Sequence, residues 1–252
     1  MTTQNTNLLN SLVTKVPNDV VLTSKWLREQ GFSRFLVKYY HENSWLKRIA
    51  QGVYIKSDGK FTIDSAVYAL QSQLGLSIHV GGVSALAKQG VSHNIGFNRV
   101  VHLYGKIGEA LPKWFKDVFY KQYNYFTTQF LPDDVGLTEE NNGSFNTQIS
   151  SKERAILEML YLSPEKTSLK ETYQLMELML TLRPDLLQKL LVNCSSVKVK
   201  RLFLYIAEKV DYPAFGELDL SKIDLGKGKR VIIKGGTFNK KYDIVINNIE
   251  EI

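Results

Sequence analysis

Thr23-Ser24-Lys25-Trp26-Leu27-Arg28-Glu29-Gln30-Gly31-Phe32-Ser33-Arg34-Phe35-Leu36-Val37-Lys38-Tyr39-Tyr40-His41 is the stretch that decides the fold. Thr23 is a good N-cap for a short helix carrying Trp26 and Leu27, and Gly31 stands where a helix ends on a residue with positive φ. Ser33 caps a second helix, Arg34 to about Asn43, after the turn Gly31-Phe32-Ser33. On a helical wheel Leu36 and Tyr40 share one side, and Arg34, Lys38 and His41 form a narrow stripe opposite. A helix held by one face with a basic stripe outward is what reading a major groove requires.

Working outward, Leu8, Leu9, Leu12 and Val13 make an apolar stripe on an earlier helix that Pro17-Asn18-Asp19 ends. Downstream, Trp45 to Ile49 and Val53 to Lys56 read as a hairpin turning through Ala50-Gln51-Gly52. Three helices and a hairpin are the outline of a winged helix-turn-helix, expected over residues 1–58 with its boundary at Ser57-Asp58-Gly59. The candidate DNA-contacting residues are Lys25, Arg28, Ser33, Arg34, Lys38, His41, Lys47 and Arg48. Lys47 and Arg48 lie on the wing, which touches the backbone or minor groove in such folds. Phosphate neutralisation supplies most of the affinity, while a few helix residues read base edges.

The 252 residues suffice for one large domain or two ordinary ones with real cores, and the 44% hydrophobic and 23% charged content is that of a globular protein. The net charge of +7 is uneven: residues 1–58 carry +4, residues 59–149 none and residues 150–252 +3. A modest positive field favours polyanions. A single cysteine, Cys194, excludes an internal disulfide framework and a cysteine-based zinc cluster, and is expected as a small apolar residue in a leucine-rich helical region. Met1 to Asn7 lacks the basic start of a signal peptide. Ser65 to Ala87 has no charged residue, but its Ser, Gln and Gly content is wrong for a membrane span, so a cytoplasmic protein is expected.

Residues 59–252 read as a larger mixed α/β, mainly helical part, with a β-containing stretch 59–149 and a helical stretch 150–252; the fold class is α+β. The first stretch opens with a helix from Asp64 to Leu74 and passes through Gly81-Gly82 into a short helix, Val83 to Gln89. The runs Arg99 to Tyr104 and Tyr123 to Thr127 lean to β, and Gly136 to Ser144 reads as a loop. In the second stretch Ser150 and Glu153 form a capping box for a helix presenting Ala155, Ile156, Met159 and Leu160. A helix from about Leu169 to Leu182 follows, with Met176 and Met179 as core residues, and Pro184 opens the next. Val199, Leu202, Phe203 and Ile206 mark another, and strands are expected around Lys229 to Lys234 and Tyr242 to Ile246, joined through Gly235-Gly236.

Sites that need converging side chains do not assemble. His41, His79, His93 and His102 have no ligand-like spacing, so neither metal nor cofactor is expected. Asp219 and Asp224 lack a third acid. Gly226-Lys227-Gly228-Lys229-Arg230 lacks the spacing of a phosphate loop and is followed by a strand, so a basic turn is the better reading, joined by Lys234, Lys240 and Lys241 as an anion-facing patch. Nucleophile, base and oxyanion donors do not come together, and no enzyme is expected.

The resemblance to a family rests on motifs spread from about residue 8 to residue 246. They are Val21 to Leu27, Leu70 to Leu76, His79-Val80-Gly81-Gly82, Ser150 to Ala155, Leu182-Arg183-Pro184, Cys194 with Val197 to Leu204, Leu225 to Arg230, Gly235-Gly236 and Lys241 to Ile244. In this order they resemble the AbiEi antitoxins of type IV toxin–antitoxin systems. The resemblance implies an antitoxin whose N-terminal winged helix binds double-stranded operator DNA with inverted repeats and represses its own operon. It also implies that the remainder counteracts a nucleotidyltransferase toxin without a stable complex, in systems linked to phage abortive infection. The expected antitoxin surface is Lys198, Lys200, Arg201, Lys227, Lys229 and Arg230. The alternative is an adaptor whose winged helix and basic surface hold a protein or RNA partner without operator recognition.

Overall fold

The structure, a computed structural model, describes residues 3–92, 100–179 and 181–247. It opens with α1 (Thr3–Lys15), β1 (Leu22–Thr23), α2 (Ser24–Glu29), α3 (Arg34–Glu42), β2 (Leu46–Ala50) and β3 (Val53–Lys56). Both expected caps are made: Thr23 Oγ1 accepts from the Trp26 amide at 3.2 Å and Ser33 Oγ from the Leu36 amide at 3.1 Å. Gly31 has φ +88°, a conformation that a side chain disfavours, and the Phe32 amide closes the turn on the Leu27 carbonyl at 2.9 Å. The strands form an antiparallel sheet in the order β1-β3-β2.

Leu12, Leu22, Leu27, Phe32, Leu36, Tyr40 and Leu46 bury together, each contributing about 1.5–3 kcal/mol of transfer free energy. Leu8 packs at the edge of this core, and the Leu9 side chain lies outside the described ones. Lys56 is buried, and its ammonium donates to the Val13 carbonyl at 2.9 Å, the Val16 carbonyl and Asn18 Oδ1 at 3.1 Å. A cation thus satisfies the free carbonyls where Pro17 stops α1.

The chain continues through α4 (Ile63–Tyr68), β4 (His79–Val80), α5 (Gly82–Lys88), β5 (Val101–Lys106), α6 (Lys113–Val118), β6 (Tyr123–Thr128), β7 (Leu137–Asn141) and β8 (Asn146–Ser150). The helix expected from Asp64 to Leu74 is α4 followed by a π turn over Ala69–Gln73, closed by the Leu74 amide on the Ala69 carbonyl at 3.1 Å. In that turn the Gln73 side chain accepts from the Thr23 amide at 2.9 Å and donates to the Val21 carbonyl, completing the hydrogen bonding of β1. The strands β4 to β8 stand in one sheet in the order β6-β5-β4-β8-β7. Here the reading of Gly136 to Ser144 as a loop is corrected. Leu137–Asn141 is an edge strand, and its Thr-Glu-Glu-Asn content reads as loop because an edge with solvated side chains lacks the apolar alternation of a buried strand. Arg99, placed in the first β-leaning run, lies outside the described residues.

The last part holds α7 (Lys152–Leu162), α8 (Leu169–Leu178), α9 (Pro184–Asn193), α10 (Val197–Lys209), 3₁₀ turns at Pro213–Glu217 and Leu220–Lys222, and β9 (Arg230–Val231), β10 (Thr237–Asn239) and β11 (Ile244–Ile246). The cap of α7 is Ser151, not Ser150: the Ser150 hydroxyl donates to Glu158 Oε2 at 2.8 Å, and Glu153 turns to Arg183 instead of closing a box. Helix α8 ends at Leu178, short of Leu182. The two expected C-terminal strands are not joined directly through Gly235-Gly236, which leads from β9 into a third strand, β10. Strands β9 and β11 are parallel, and β10 pairs antiparallel with the other edge of β11.

Two compact units result, one from residues 1–79, 103–127 and 139–148, the other from residues 80–102, 128–138 and 149–252. In the second, α7 packs against α5, α8, α9 and α10 and is buried nearly all round. Arg154 and Glu158 lie inside that packing, 2.9 Å apart. Arg154 also donates to the carbonyls of Pro132 and Val135, and Glu158 accepts from the Gly82 amide, so the pair is satisfied on every side. Among the described residues no helix is long and apolar enough to cross a membrane.

Candidate nucleic-acid interface

The start of α3, the end of α2 and the hairpin enclose a groove of about 470 Å³. Its rim includes Arg28, Ser33, Arg34, Arg48, Gln51 and Tyr54, so three guanidinium side chains from three elements share one concavity. The hairpin tip is fixed to α2: the Ser24 amide donates to the Gly52 carbonyl at 2.8 Å, and Gly52, at φ +72°, leaves room for the Ser24 hydroxyl. At the other end the His41 ring donates from Nδ1 to the Leu46 carbonyl at 3.1 Å and meets Tyr54 edge-on, ring centres 6.3 Å apart. The hairpin is therefore held to α2 at its tip by a main-chain hydrogen bond and to α3 at its base by the His41 side chain, which fixes both walls of the groove.

The eight residues expected to contact DNA are all exposed. Arg28, Ser33, Arg34 and Arg48 are brought together at the groove. Lys25 stands on α2 outside that rim, and Lys38 faces Glu42 one turn along α3 at 3.6 Å, both ends largely exposed. The two hairpin residues separate. Lys47 is opposite Ile55 and Arg48 opposite Tyr54, so alternation along β2 sends them to opposite faces of the sheet. Only Arg48 faces the groove. The wheel of α3 is as read, with Leu36, Val37 and Tyr40 buried, but one residue was passed over. Phe35 is 78% exposed on the outward arc, beside the basic stripe. Its signal was present in the sequence, as an apolar ring on the polar side of the wheel.

The second expected surface divides. Lys227, Lys229 and Arg230 are exposed, with the Lys229 ammonium 5.1 Å from the centre of the Phe238 ring. Lys198, Lys200 and Arg201 do not belong to that surface. Lys200 and Arg201 are buried on α10, and Lys198 is half-buried with its ammonium on the carbonyls of Tyr161 at 2.7 Å and Ser163 at 2.8 Å. Burial pulls the Lys198 pKa down. Arg201 points its guanidinium at the carbonyls of Leu225, Gly226, Gly228 and Asp243, between 2.7 and 3.1 Å. The reason for the correction is tertiary: the Leu225–Gly228 loop and Asp243 cover Arg201 on the face of α10 that the wheel leaves to solvent, and the end of α7 takes the Lys198 ammonium.

The remaining candidates have structural employment. The Cys194 thiol is buried, and burial raises its pKa. Asp219 accepts from Ser221 and faces Lys222, and Asp224 accepts from the Gly226 amide at 2.8 Å. Met176 and Met179 are buried. His93 lies outside the described residues, and among the described residues no three His, Cys, Asp or Glu gather as metal ligands.

Residues 5–97 match the family model described as the transcriptional regulator, AbiEi antitoxin N-terminal domain. Residues 98–247 match the one described as transcriptional regulator, AbiEi antitoxin, type IV TA system. Among solved structures the chain is similar to the crystal structure of the RV2827C protein from Mycobacterium tuberculosis. The TM-score is 0.61 at 13% identity, over 97% of this chain and 91% of that one, a likeness of fold alone. No curated protein matches the chain.

Proposed function

The chain belongs to the AbiEi family of antitoxins and transcriptional regulators of type IV toxin–antitoxin systems, and from that premise we propose that residues 1–58 act as a winged helix-turn-helix on operator DNA. Helix α3 enters the major groove of an inverted repeat, Arg34 and Lys38 face base edges, and Arg28, Lys25 and Arg48 take phosphates. The observation that carries this reading is the groove in which Arg28, Arg34 and Arg48 converge from three elements while the opposite face of α3 is fully packed. Binding to its own promoter makes the protein a cytoplasmic autorepressor. A gel shift with the full-length chain tests it: a retarded complex should form on its promoter and survive excess random DNA. Equal competition by random and promoter DNA would reject operator recognition.

Residues 59–252 carry the antitoxin action against a nucleotidyltransferase toxin, with Lys227, Lys229 and Arg230 as the exposed cations of its surface. Antagonism at a shared target, without a stable complex, is the route. Charge reversal at these three positions should abolish rescue of toxin-expressing cells and spare promoter binding, since the two groups lie in different compact units. Full rescue by a folded triple variant would exclude the surface.

The adaptor reading has one observation in its favour, the exposure of Phe35, since aromatic side chains are enriched where proteins meet. In the DNA reading the same ring meets a thymine methyl. Phe35→Ala should therefore weaken promoter binding, and replacing single operator thymines by deoxyuridine should find one position whose effect the variant no longer feels. Promoter binding indifferent to Phe35→Ala would move this ring to a protein partner.

A further inference from the structure

We propose that His41 is a proton-linked phosphate contact: it meets the DNA backbone only as the imidazolium, so a chain that binds with a neutral ring takes up one proton. The inference rests on the operator reading above and adds to it a group and a chemistry. His41 is exposed in the last turn of α3, in line with Arg34 and Lys38. Its Nδ1 stands 3.1 Å from the Leu46 carbonyl, at the base of the hairpin. A carbonyl oxygen brings no proton, so the hydrogen of that bond sits on Nδ1. The neutral ring is thereby held as the Nδ1–H tautomer, with a lone pair on Nε2. A phosphate oxygen is also an acceptor and cannot bond to that lone pair. When a solvent proton adds to Nε2, the ring keeps its bond to Leu46 and gains a second, charged N–H donor.

The place of the ring selects a phosphate as its partner. A helix in the major groove and a hairpin on the neighbouring minor groove straddle the phosphodiester strand that divides the two grooves. His41 bridges those two elements. It bonds to β2 and meets the Tyr54 ring of β3 edge-on, ring centres 6.3 Å apart. Tyr54 lines the groove together with Arg48, its cross-strand neighbour. Around the ring, α3 contributes Lys38 and Glu42, which face each other at 3.6 Å. The hairpin contributes Tyr54 and Arg48, since Lys47 turns to the other face of the sheet. No carboxylate among the described residues forms an ion pair with the ring, so an incoming phosphate supplies the opposite charge that an imidazolium there calls for. The C-terminal end of the helix dipole also favours a cation in this turn.

The test is promoter binding by the full-length chain, followed by fluorescence anisotropy at constant ionic strength from about pH 8 to about pH 6, where histidine ordinarily titrates. Affinity should rise by about tenfold as pH falls, the worth of one charge-assisted hydrogen bond. Random DNA should show the same factor, because a phosphate contact carries no sequence information. His41→Asn is the control: its side-chain amide keeps a donor for the Leu46 carbonyl near the position of Nδ1 and has no counterpart of Nε2. The variant should bind as wild type does near pH 8 and lose the response to acid, with the other three histidines still in place. Nuclear magnetic resonance of the ring in the wild-type protein needs no variant, and its titration should move to higher pH when promoter DNA is added. A response that survives in His41→Asn, one confined to the promoter, or a ring titration that DNA leaves in place would overturn the contact. Promoter binding indifferent to pH would overturn it while the operator reading stands, and no promoter complex at any pH would end both.

Discussion

Around α3, Lys25, Arg28, Arg34, Lys38, Lys47 and Arg48 stand in water, whereas in the helical unit Arg154 and Arg201 are buried and Lys198 is half-buried, each holding main-chain carbonyls. Each of these side chains carries the same formal charge. A cation removed from water must have its donors satisfied by the protein, and once they are it has little left to offer a partner. An exposed cation keeps its donors on exchangeable water and its field open to an incoming phosphate. A basic excess read from sequence therefore counts both kinds. In this chain the excess of the first 58 residues is nearly all on the surface, while part of the C-terminal excess is internal scaffolding.

The internal cations are most exposed to disruption at Glu158. Glu158→Ala leaves Arg154 buried without its carboxylate and strips partners from the Gly82 amide and the Ser150 hydroxyl. A loss of about 3–5 kcal/mol in unfolding free energy is expected, measured by urea denaturation of the full chain. A loss under about 1 kcal/mol would mean that the internal cations are no more committed than the surface ones. At the exposed set the effect moves from stability to binding. Arg34→Ala should leave the urea midpoint in place and cost about 1–3 kcal/mol of operator affinity, with a smaller loss on random DNA. Arg48→Ala should weaken both DNAs alike, and Lys47→Ala, on the other face of β2, should do less than Arg48→Ala. If about four phosphates are neutralised, log affinity should fall with log salt at a slope of roughly −3 to −4.

Much of the first unit was legible because its signals are local. A threonine or serine ahead of a helix and a glycine after it act through hydrogen bonds within three or four residues, so Thr23, Ser33 and Gly31 could be read without knowing the rest of the fold. The helical unit hides more. Val199, Leu202, Phe203 and Ile206 mark one face of α10, and the opposite face holding Lys200 and Arg201 looks solvated until residues from Leu225 to Asp243 are folded over it. Ser150 and Ser151 are chemically identical neighbours, and only the position of Glu158 decides which of them caps α7. Of the residues proposed to contact DNA, the convergence of Arg28, Arg34 and Arg48 needed the hairpin register, because a strand's alternation cannot be oriented until its partner is known.

An intermediate case lies between the two sets. Glu153 is buried, but its partner Arg183 is 62% exposed at 3.0 Å. Burial alone would raise the Glu153 pKa, yet hydrogen bonds from the Arg183 guanidinium and amide outweigh it and hold the carboxyl below the usual range. A depressed carboxylate contributes stability above its unfolded pKa, near 4.5, and that contribution is lost as pH falls through the folded value. Wild-type unfolding free energy should therefore drop on acidification below about pH 4.5, and Glu153→Gln should be less stable near neutrality, by about 1–2 kcal/mol given the exposed partner, with a flatter acid limb. Parallel acid limbs in the two proteins would assign the pH response to other carboxylates.

The smallest effect makes the finest distinction. Lys38 faces Glu42 at 3.6 Å with 71% and 58% of the two side chains exposed, an ion pair that geometry alone would count as stabilising. Water screens it, and holding two long side chains in one arrangement costs entropy, so about 0.3–0.5 kcal/mol is the most it contributes. Lys38→Ala should change the unfolding free energy from urea denaturation by no more than that. Removing Glu42 instead, as Glu42→Gln, should lose the same pair yet strengthen operator binding, because it frees the Lys38 ammonium and takes a negative charge off the face proposed to meet DNA. If Glu42→Gln and Lys38→Ala weaken binding alike, the pair acts as a structural unit of α3, and Lys38 belongs with the internal cations of the other unit despite its exposure.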